Sequence, residues 1–450
     1  MSTPNTPAKS VNAWIYLDED EPAQTGYNSP DSCYQTLIRY DVYRATDMLN
    51  ICFFNTVTLA DGSYSIVIGN IDKQHPGGGT NADYLKWVVR DARKTNPEIK
   101  ILATLGYGAN ELNGIFSGPQ SSWPASTAAF GKNLLTYLQQ HDLDGFDVDW
   151  EAELDSSLTR QQFGMLFTAI RHAFDTAKDR YYYLTLSPAN FAPNLQYIDA
   201  EAVNGSCDFV NLQLYSGFIN KREYLKIGIN DKLLAYGAKF ESIDGSDLAP
   251  YQCAQQAHDG MLSGGYNIVT QWRLNSGDYQ FEQAQQMLLH QLVYAESIPS
   301  FDDAPIVGAA GNPPITQLTI RSGDVLDAIQ ATNTGSFSGI SLPYQLPQHG
   351  GDGGRQSEIE LASDDALVEV SGYTGTWYGW NVVVQLTVKT RKGLTFGPYG
   401  SMHGVTAKTA FAFTAPTGQS IVAFRGTSDV VPQANGKPSS VIASLNVTCA

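Results

Sequence analysis

From Val11 to Ser297 the chain alternates short apolar runs with longer stretches of helical period, the pattern of parallel strands that are each followed by a covering helix. Eight runs read as strands. They are VNAWIYL from Val11, MLNICFFN from Met48, KILATLGYG from Lys100, DGFDVDWE from Asp144, YYLTLSPA from Tyr182, DFVNLQLYS from Asp208, KLLAYGAKF from Lys232 and YNIVTQW from Tyr266. Between the fourth and fifth runs, Thr159 and Gln162 have the spacing of a capping box. Behind them Phe163, Leu166, Phe167, Ile170 and Phe174 recur at intervals of three and four, which predicts a helix with one apolar face.

Eight strands that close on themselves make an α/β (β/α)8 TIM barrel, expected over residues 11–300 behind a flexible tail at residues 1–10. The stretch PSFDDAPIVGAAGNPP, from Pro299 to Pro314, then breaks the alternation with Pro, Gly and Ala. Beyond it, residues 301–450 read as a second, all-β domain, with β-branched and aromatic runs separated by glycine-rich turns. QLTI at Gln317–Ile320 recurs as QLTV at Gln385–Val388 and more loosely as SLNV at Ser444–Val447, which predicts three related sheet units.

The run DGFDVDWE carries the chemistry. On a strand, Asp147, Asp149 and Glu151 share one face and Phe146, Val148 and Trp150 the other. An exposed amphipathic strand is one reading of that row, and a site for a hard cation is another, although carboxylates about 6.6 Å apart along a line do not converge on one ion. Within a barrel the row faces the lumen, where mutual repulsion and burial raise the proton affinity of at least one acid. Gly145 and the apolar flank favour a buried central strand, with Glu151 at the C-terminal mouth.

Composition narrows the partners. The 450 residues carry a net charge of -17 and no basic run, which disfavours nucleic acid and acidic membrane surfaces, while an 11% aromatic share suits stacking on sugars. Five cysteines without a C-x-x-C pair argue against a zinc site, and no apolar run is long enough to span a membrane.

DGFDVDWE, Asp144 to Glu151, resembles the D-G-x-D-x-D-x-E signature of glycoside hydrolase family 18, the chitinase family, at every defined position. TLGYG at Thr104–Gly108 resembles the family's S-x-G-G turn, with Thr104 in place of serine and Tyr107 parting the glycines. QLYS at Gln213–Ser216 resembles the strand-six motif, and Trp272 falls where the family has a strand-eight tryptophan. The resemblance implies retaining hydrolysis of β-1,4 N-acetylglucosamine linkages with the substrate's own acetamide as nucleophile. It implies Glu151 as proton donor and then base, Asp149 as the group that orients the acetamide, Asp147 as its proton-sharing partner, and Tyr215 as a hydrogen-bond donor to the acetamide oxygen. Trp272, Gln213 and Gly106 are the implied substrate-binding residues, and Asp144 is expected to order the start of the strand. Many bacterial members carry aspartate where Ser216 stands, so the subsites are expected to differ from theirs.

IRSGDVLDAI at Ile320–Ile329, HGGDGG at His349–Gly354, TFGPYG at Thr395–Gly400 and VAFRGTS at Val422–Ser428 together resemble a jacalin-type lectin, a three-sheet β-prism. The resemblance implies a sugar site in which Gly323, Asp324 and Asp327 face Gly350 and Gly351. The C-terminal copy of that loop, GKPSSVIASL at Gly436–Leu445, has Ser440 where an aspartate belongs. No metal or organic cofactor is implied. The expected partners are chitin or other N-acetylglucosamine-containing glycans, with a second glycan at the lectin domain, and neither nucleic acid nor membrane insertion. The alternatives are an endo-β-N-acetylglucosaminidase of N-glycan cores and a non-catalytic glycan binder. The substrate class suggests an extracellular protein, while the start MSTPNTPAKS has no secretory h-region, so a cytoplasmic site or non-classical export stays open.

Overall fold

The computed structural model describes residues 5–17, 26–106, 109–151, 158–215, 219–239, 250–294, 300–337, 340–432 and 438–450. The chain divides into two compact units, residues 1–244 with 256–282, and residues 245–255 with 283–450.

The strands of the first unit are β1 (Ser10–Tyr16), β2 (Met48–Thr58), β3 (Tyr64–Ile68), β4 (Lys100–Leu105), β5 (Gly145–Trp150), β6 (Tyr183–Pro188), β7 (Phe209–Leu212), β8 (Leu234–Lys239) and β9 (Ile268–Trp272). The helices along the chain are α1 (Cys33–Arg39), α2 (Asn81–Thr95), α3 (Trp123–Gln140), α4 (Arg160–Asp175), α5 (Ala200–Ser206), α6 (Lys221–Lys226), α7 (Pro250–Ser263) and α8 (Tyr279–Tyr294). The sheet runs β1-β9-β8-β7-β6-β5-β4-β2 and returns from β2 to β1, so eight parallel strands close a TIM barrel on the eight runs read from the sequence.

A ninth strand escaped that reading. β3 pairs antiparallel with β2 through a tight turn in which the Leu59 N–H donates to the Ser63 carbonyl at 2.8 Å and Gly62 has φ 82°. The Asp61-Gly62 pair is a hairpin signal, but the polar residues around it read as an ordinary connection.

Strand β5 is oriented as its alternation requires. Phe146 packs on Phe130 of α3 and Trp150 on Phe163 of α4, with ring centroids 6.5 and 5.0 Å apart. Helix α4 starts at the Thr159–Gln162 capping box and buries Phe163, Leu166, Phe167, Ile170 and Phe174. At the base of β5, Asp144 accepts hydrogen bonds from Arg93, Arg180 and the Ile101 N–H at 2.7, 3.0 and 2.8 Å, which fixes where the strand begins.

The lumen is filled in layers. Met48, Leu102, Phe209, Ala235 and Ile268 form an apolar floor, with Tyr183 packed against it. One pleat higher the inward side chains are polar, where a barrel interior ordinarily holds branched apolar residues. Gly145 leaves its place in the floor empty because a Cβ there would lie 2.4 Å from the Tyr183 carbonyl oxygen.

The second unit is antiparallel β. After β10 (Ser300–Asp302) and a short helix α9 (Ala304–Ala309) come β11 (Ile315–Ser322), β12 (Leu326–Phe337), β13 (Ile340–Gln345), β14 (His349–Gly350) and β15 (Arg355–Glu360). They are followed by β16 (Leu367–Trp377), β17 (Trp380–Thr390), β18 (Thr395–Tyr399), β19 (Val405–Thr414), β20 (Ile421–Pro432) and β21 (Pro438–Cys449). Three sheets result: β10-β20-β21, then β13-β12-β11-β15 with β14 beside β12, and β18-β17-β16-β19. The three repeat runs fall on β11, β17 and β21, one in each sheet, as expected of a β-prism. Val325, Val382, Val384, Val431 and Val441 form an apolar core between them.

Because the Tyr183 backbone belongs to a paired strand, it has little room to yield. Gly145→Ala is expected to lower stability by about 1–3 kcal/mol in thermal or denaturant unfolding, the usual range for overpacking.

Candidate functional site

Asp147, Asp149 and Glu151 climb the inner face of β5 from the polar layer to the mouth. Asp147 is fully buried and accepts hydrogen bonds from Thr185 Oγ1 at 2.6 Å and from Ser187 Oγ at 3.0 Å. Burial raises its pKa and these hydroxyls lower it, with burial the larger effect. Asp149, one pleat higher and partly exposed, accepts from Gln213 Nε2 at 2.8 Å. Its carboxyl is held well above the ordinary range, first by burial and then by the negative charges of Glu151 and Asp147. Glu151, just past the strand end, is partly exposed. Burial raises its proton affinity, and a hydrogen bond from Gln213 opposes that rise. The row is therefore a stack of acids in which burial and mutual repulsion make each proton harder to remove than from a free carboxyl.

Neighbouring strands complete the site. Tyr215, beyond the end of β7, donates to Gln213 Oε1 at 3.3 Å, and Gln213 also donates to the Ser187 carbonyl at 3.2 Å. Gln213, expected to bind substrate, thus couples Asp149, Glu151 and Tyr215. Trp272 at the end of β9 packs against Trp14 and Phe53, with ring centroids 5.9 and 5.8 Å away, and the Arg273 guanidinium lies 5.5 Å from its ring centre. The loop after β9 is anchored to β1: Leu274 N–H donates to the Trp14 carbonyl, and Asn275 exchanges hydrogen bonds with both backbone groups of Tyr16. Gly106 follows β4 and donates its N–H to the Phe54 carbonyl at 2.8 Å. Tyr107, Gly108 and Ser216, also singled out in the sequence, lie outside the described residues.

Several site residues were missed in the sequence. Thr185, Ser187 and Asn211 sit on the inner face beside Asp147, and Asn211 donates to Ser187 Oγ at 3.2 Å. The indole of Trp14 on β1 also hydrogen-bonds Asp147. The polar alternation of YYLTLSPA, with Thr185 and Ser187 two apart, was the available signal. A separate apolar cavity of about 850 Å³ opens between α3 and α4, lined by Thr127, Leu135, Met165 and Ala169, and holds none of these acids.

In the second unit the expected sugar loop lies against the start of β12, and Gly351 donates its N–H to the Asp327 carbonyl at 3.0 Å. Asp327 is buried, and burial raises its pKa against a lowering hydrogen bond from the Gly323 N–H. Asp324 turns away to accept from Ser401 Oγ at 2.8 Å, which latches the loop to its neighbour. Gly350, at φ 92°, lets the chain pass the Asp327 carbonyl, where a Cβ would come within 2.1 Å, and Gly351 presses on Ser440. The glycines against the Asp327 carboxylate are Gly353 and Gly354, whose added Cβ atoms would lie 2.3 and 2.4 Å from its oxygens.

Comparison with known proteins gives two family matches. The model for the glycosyl hydrolases family 18 matches residues 15–280, and that for the jacalin-like lectin domain matches residues 300–434. Among curated relatives, an endochitinase of Brugia malayi is 34% identical over 86 residues, 19% of this chain and 16% of the relative. Jacalin-related lectin 5 of Arabidopsis thaliana is 31% identical over 114 residues, 25% of this chain and 14% of the relative, so the chain spans about a sixth of the length of these relatives. A solved mannose-binding lectin from champedak is 29% identical and covers 30% of this chain and 83% of its own, with a TM-score of 0.24. With the family model matched across the closed barrel and its row of acids, the chain belongs to the glycosyl hydrolases family 18 and carries a jacalin-like lectin domain at its C-terminal end.

Proposed function

We propose that this protein is a retaining chitinase that hydrolyses β-1,4 N-acetylglucosamine linkages, with a barrel over residues 11–300 and a glycan-binding lectin domain over residues 301–450. The observation that carries the reading is the stack of Asp147, Asp149 and Glu151, in which all three carboxyls hold protons more tightly than usual and the outermost reaches the mouth. A raised pKa keeps Glu151 protonated at mildly acidic pH, so it can protonate the leaving glycosidic oxygen and afterwards take a proton from water.

In the first step the glycosidic C–O bond breaks as the substrate's acetamide oxygen bonds to the anomeric carbon, and the Glu151 proton goes to the departing sugar. Asp149, sharing one proton with Asp147, accepts the acetamide N–H and offsets the positive charge of the oxazolinium. Tyr215, turning its hydroxyl hydrogen away from Gln213 Oε1, donates to the acetamide oxygen, and Trp272 offers an apolar floor. Water then attacks the anomeric carbon as its bond to the acetamide oxygen breaks and the acetamide is restored, the water's proton goes to Glu151, and the configuration is retained. At the lectin domain, the buried Asp327 carboxylate between Gly323 and Gly353–Gly354 is the proposed acceptor for sugar hydroxyls.

Three experiments test this reading. Product analysis on N-acetylglucosamine oligomers and on a high-mannose glycoprotein should show cleavage of the oligomers, with kcat falling by about 10²–10⁴-fold in Glu151→Gln. Cleavage of the glycoprotein alone would reassign the protein as an N-glycan endoglycosidase, and no Glu151-dependent cleavage of either would leave a glycan binder. Gln213 stabilises the charged forms of both Asp149 and Glu151. Gln213→Met therefore raises both pKa values, and both limbs of the kcat profile should move to higher pH, by roughly half to one unit. Unmoved limbs would separate Gln213 from the proton chemistry. On a glycan array, Asp327→Asn should weaken the best ligand by about tenfold or more, with thermal unfolding showing an intact fold.

A further inference from the structure

One arginine of the second unit directs its guanidinium at the backbone of a single loop. Arg321 stands near the end of β11 and reaches the loop between β14 and β15. Its Nε donates to the Gly353 carbonyl at 3.0 Å, and its Nη2 to the carbonyls of Asp352 at 2.7 Å and Gly354 at 3.4 Å. Nη1 donates to Gln356 Oε1 at 3.0 Å, and Gln356 donates in turn to Glu358 Oε1, so the fork is itself held along β15. Three successive carbonyls on one planar group make a fixed clamp, which the single ammonium of a lysine does not reproduce.

The clamped residues are the ones that lie on Asp327. Strand β11 pairs with β12 through Arg321 and Ala328 and then through Ser322 and Leu326, which leaves Asp327 as the extra residue of a β-bulge. The bulge aims its buried carboxylate at the loop, where Cβ atoms added to Gly353 and Gly354 would lie 2.3 and 2.4 Å from the two oxygens. Glycine permits that approach and also gives the free loop more backbone conformations than any other residue would. A sugar hydroxyl that uses both the carboxylate and the loop backbone needs the two at a fixed separation. Arg321 sets that separation in advance, which removes an ordering cost from binding.

We propose that Arg321 is the positioning residue of the glycan site on the lectin domain, because its clamp on the carbonyls of Asp352, Gly353 and Gly354 holds the glycine loop against Asp327 in the binding geometry. The affinity consequence rests on the lectin reading, whereas the clamp does not. Charge gives the same residue a second signature. Burial raises the Asp327 pKa, the Gly323 N–H and then Arg321 lower it, and the Asp324 charge raises it. The other titratable groups nearby have their own partners: His349 meets Asp303, His403 lies beside Asp324, and the Asp352 carboxylate accepts from Gln348. From β21 the loop meets the neutral Ser439 and Ser440. Removing the arginine charge therefore raises the Asp327 pKa, and binding through the ionised carboxylate is lost at a higher pH on acidification.

The test uses the full chain, native and with Arg321→Lys, which keeps the charge and loses the fork, or Arg321→Gln, which loses both. On an array of mannosides, galactosides and N-acetylglucosamine oligomers, both variants should bind the best native ligand about tenfold more weakly at neutral pH. Thermal unfolding should show an intact fold in each. In Arg321→Gln alone, the acid midpoint of binding should rise by roughly half a pH unit. Hydrogen exchange should quicken at the amides of residues 351–354 in both variants and stay native in the sheet β18-β17-β16-β19. An arginine that only stabilised the domain would lower the melting temperature and leave affinity and midpoint at native values, which overturns the proposal, as does unchanged exchange in both variants. A native protein that binds no sugar on the array sinks the lectin reading, and exchange at 351–354 still decides the clamp. If Arg321→Gln does not fold, Arg321→Lys decides through affinity and exchange.

Discussion

Putting a line of carboxylates inside a closed barrel is the constraint on which the first unit depends. Each acid on the inner face of β5 loses water, and each ionisation opposes the next, so the row holds protons that free carboxyls would release. Neutral donors keep that burial tolerable: Thr185 and Ser187 on the neighbouring β6 at Asp147, and Gln213 just past β7 at Asp149. The floor of the lumen is apolar, where Met48, Leu102, Phe209, Ala235 and Ile268 meet. The outer face of the same strand does the opposite work, seating Phe146 and Trp150 on α3 and α4. One alternating strand thereby anchors the barrel wall and presents the acids.

The second unit applies related physics on a smaller scale. Its three sheets share a valine core, and the start of β12 carries the buried carboxylate of Asp327. Glycines at 353 and 354 bring backbone against that carboxylate where side chains would clash, and Gly323 passes beside it at ordinary contact distance. Asp324, close in sequence and equal in charge, is engaged by Ser401 and holds the loop in place. Two aspartates three residues apart thus take different tasks because one is enclosed by backbone and the other is latched to a neighbouring loop.

Much of this was legible in the chain. The eight strand runs, the Thr159–Gln162 cap and the inward face of Asp147, Asp149 and Glu151 all follow from period and spacing, which are local properties of the backbone. The three short repeats likewise marked three sheets. Hairpin β3 escaped because the polar residues around its Asp-Gly turn weakened the strand signal. Partners such as Trp14, Thr185 and Ser187 escaped for a different reason: each is ordinary in its own run, and only the pairing and curvature of the sheet bring it to Asp147.

The sequence alone determined what depends on neighbours along the chain: which residues alternate, which face of β5 is acidic, where the barrel pattern stops and the sheet repeats begin. Tertiary structure decided what depends on neighbours across space. It made Gln213 a link among two acids and Tyr215, assigned the contact with Asp327 to Gly353 and Gly354 as well as holding Gly350 and Gly351 to the backbone, and placed a polar ring where an apolar one is usual. Proton affinity belongs to this second class, because desolvation and charge repulsion act through distances that no local spacing records.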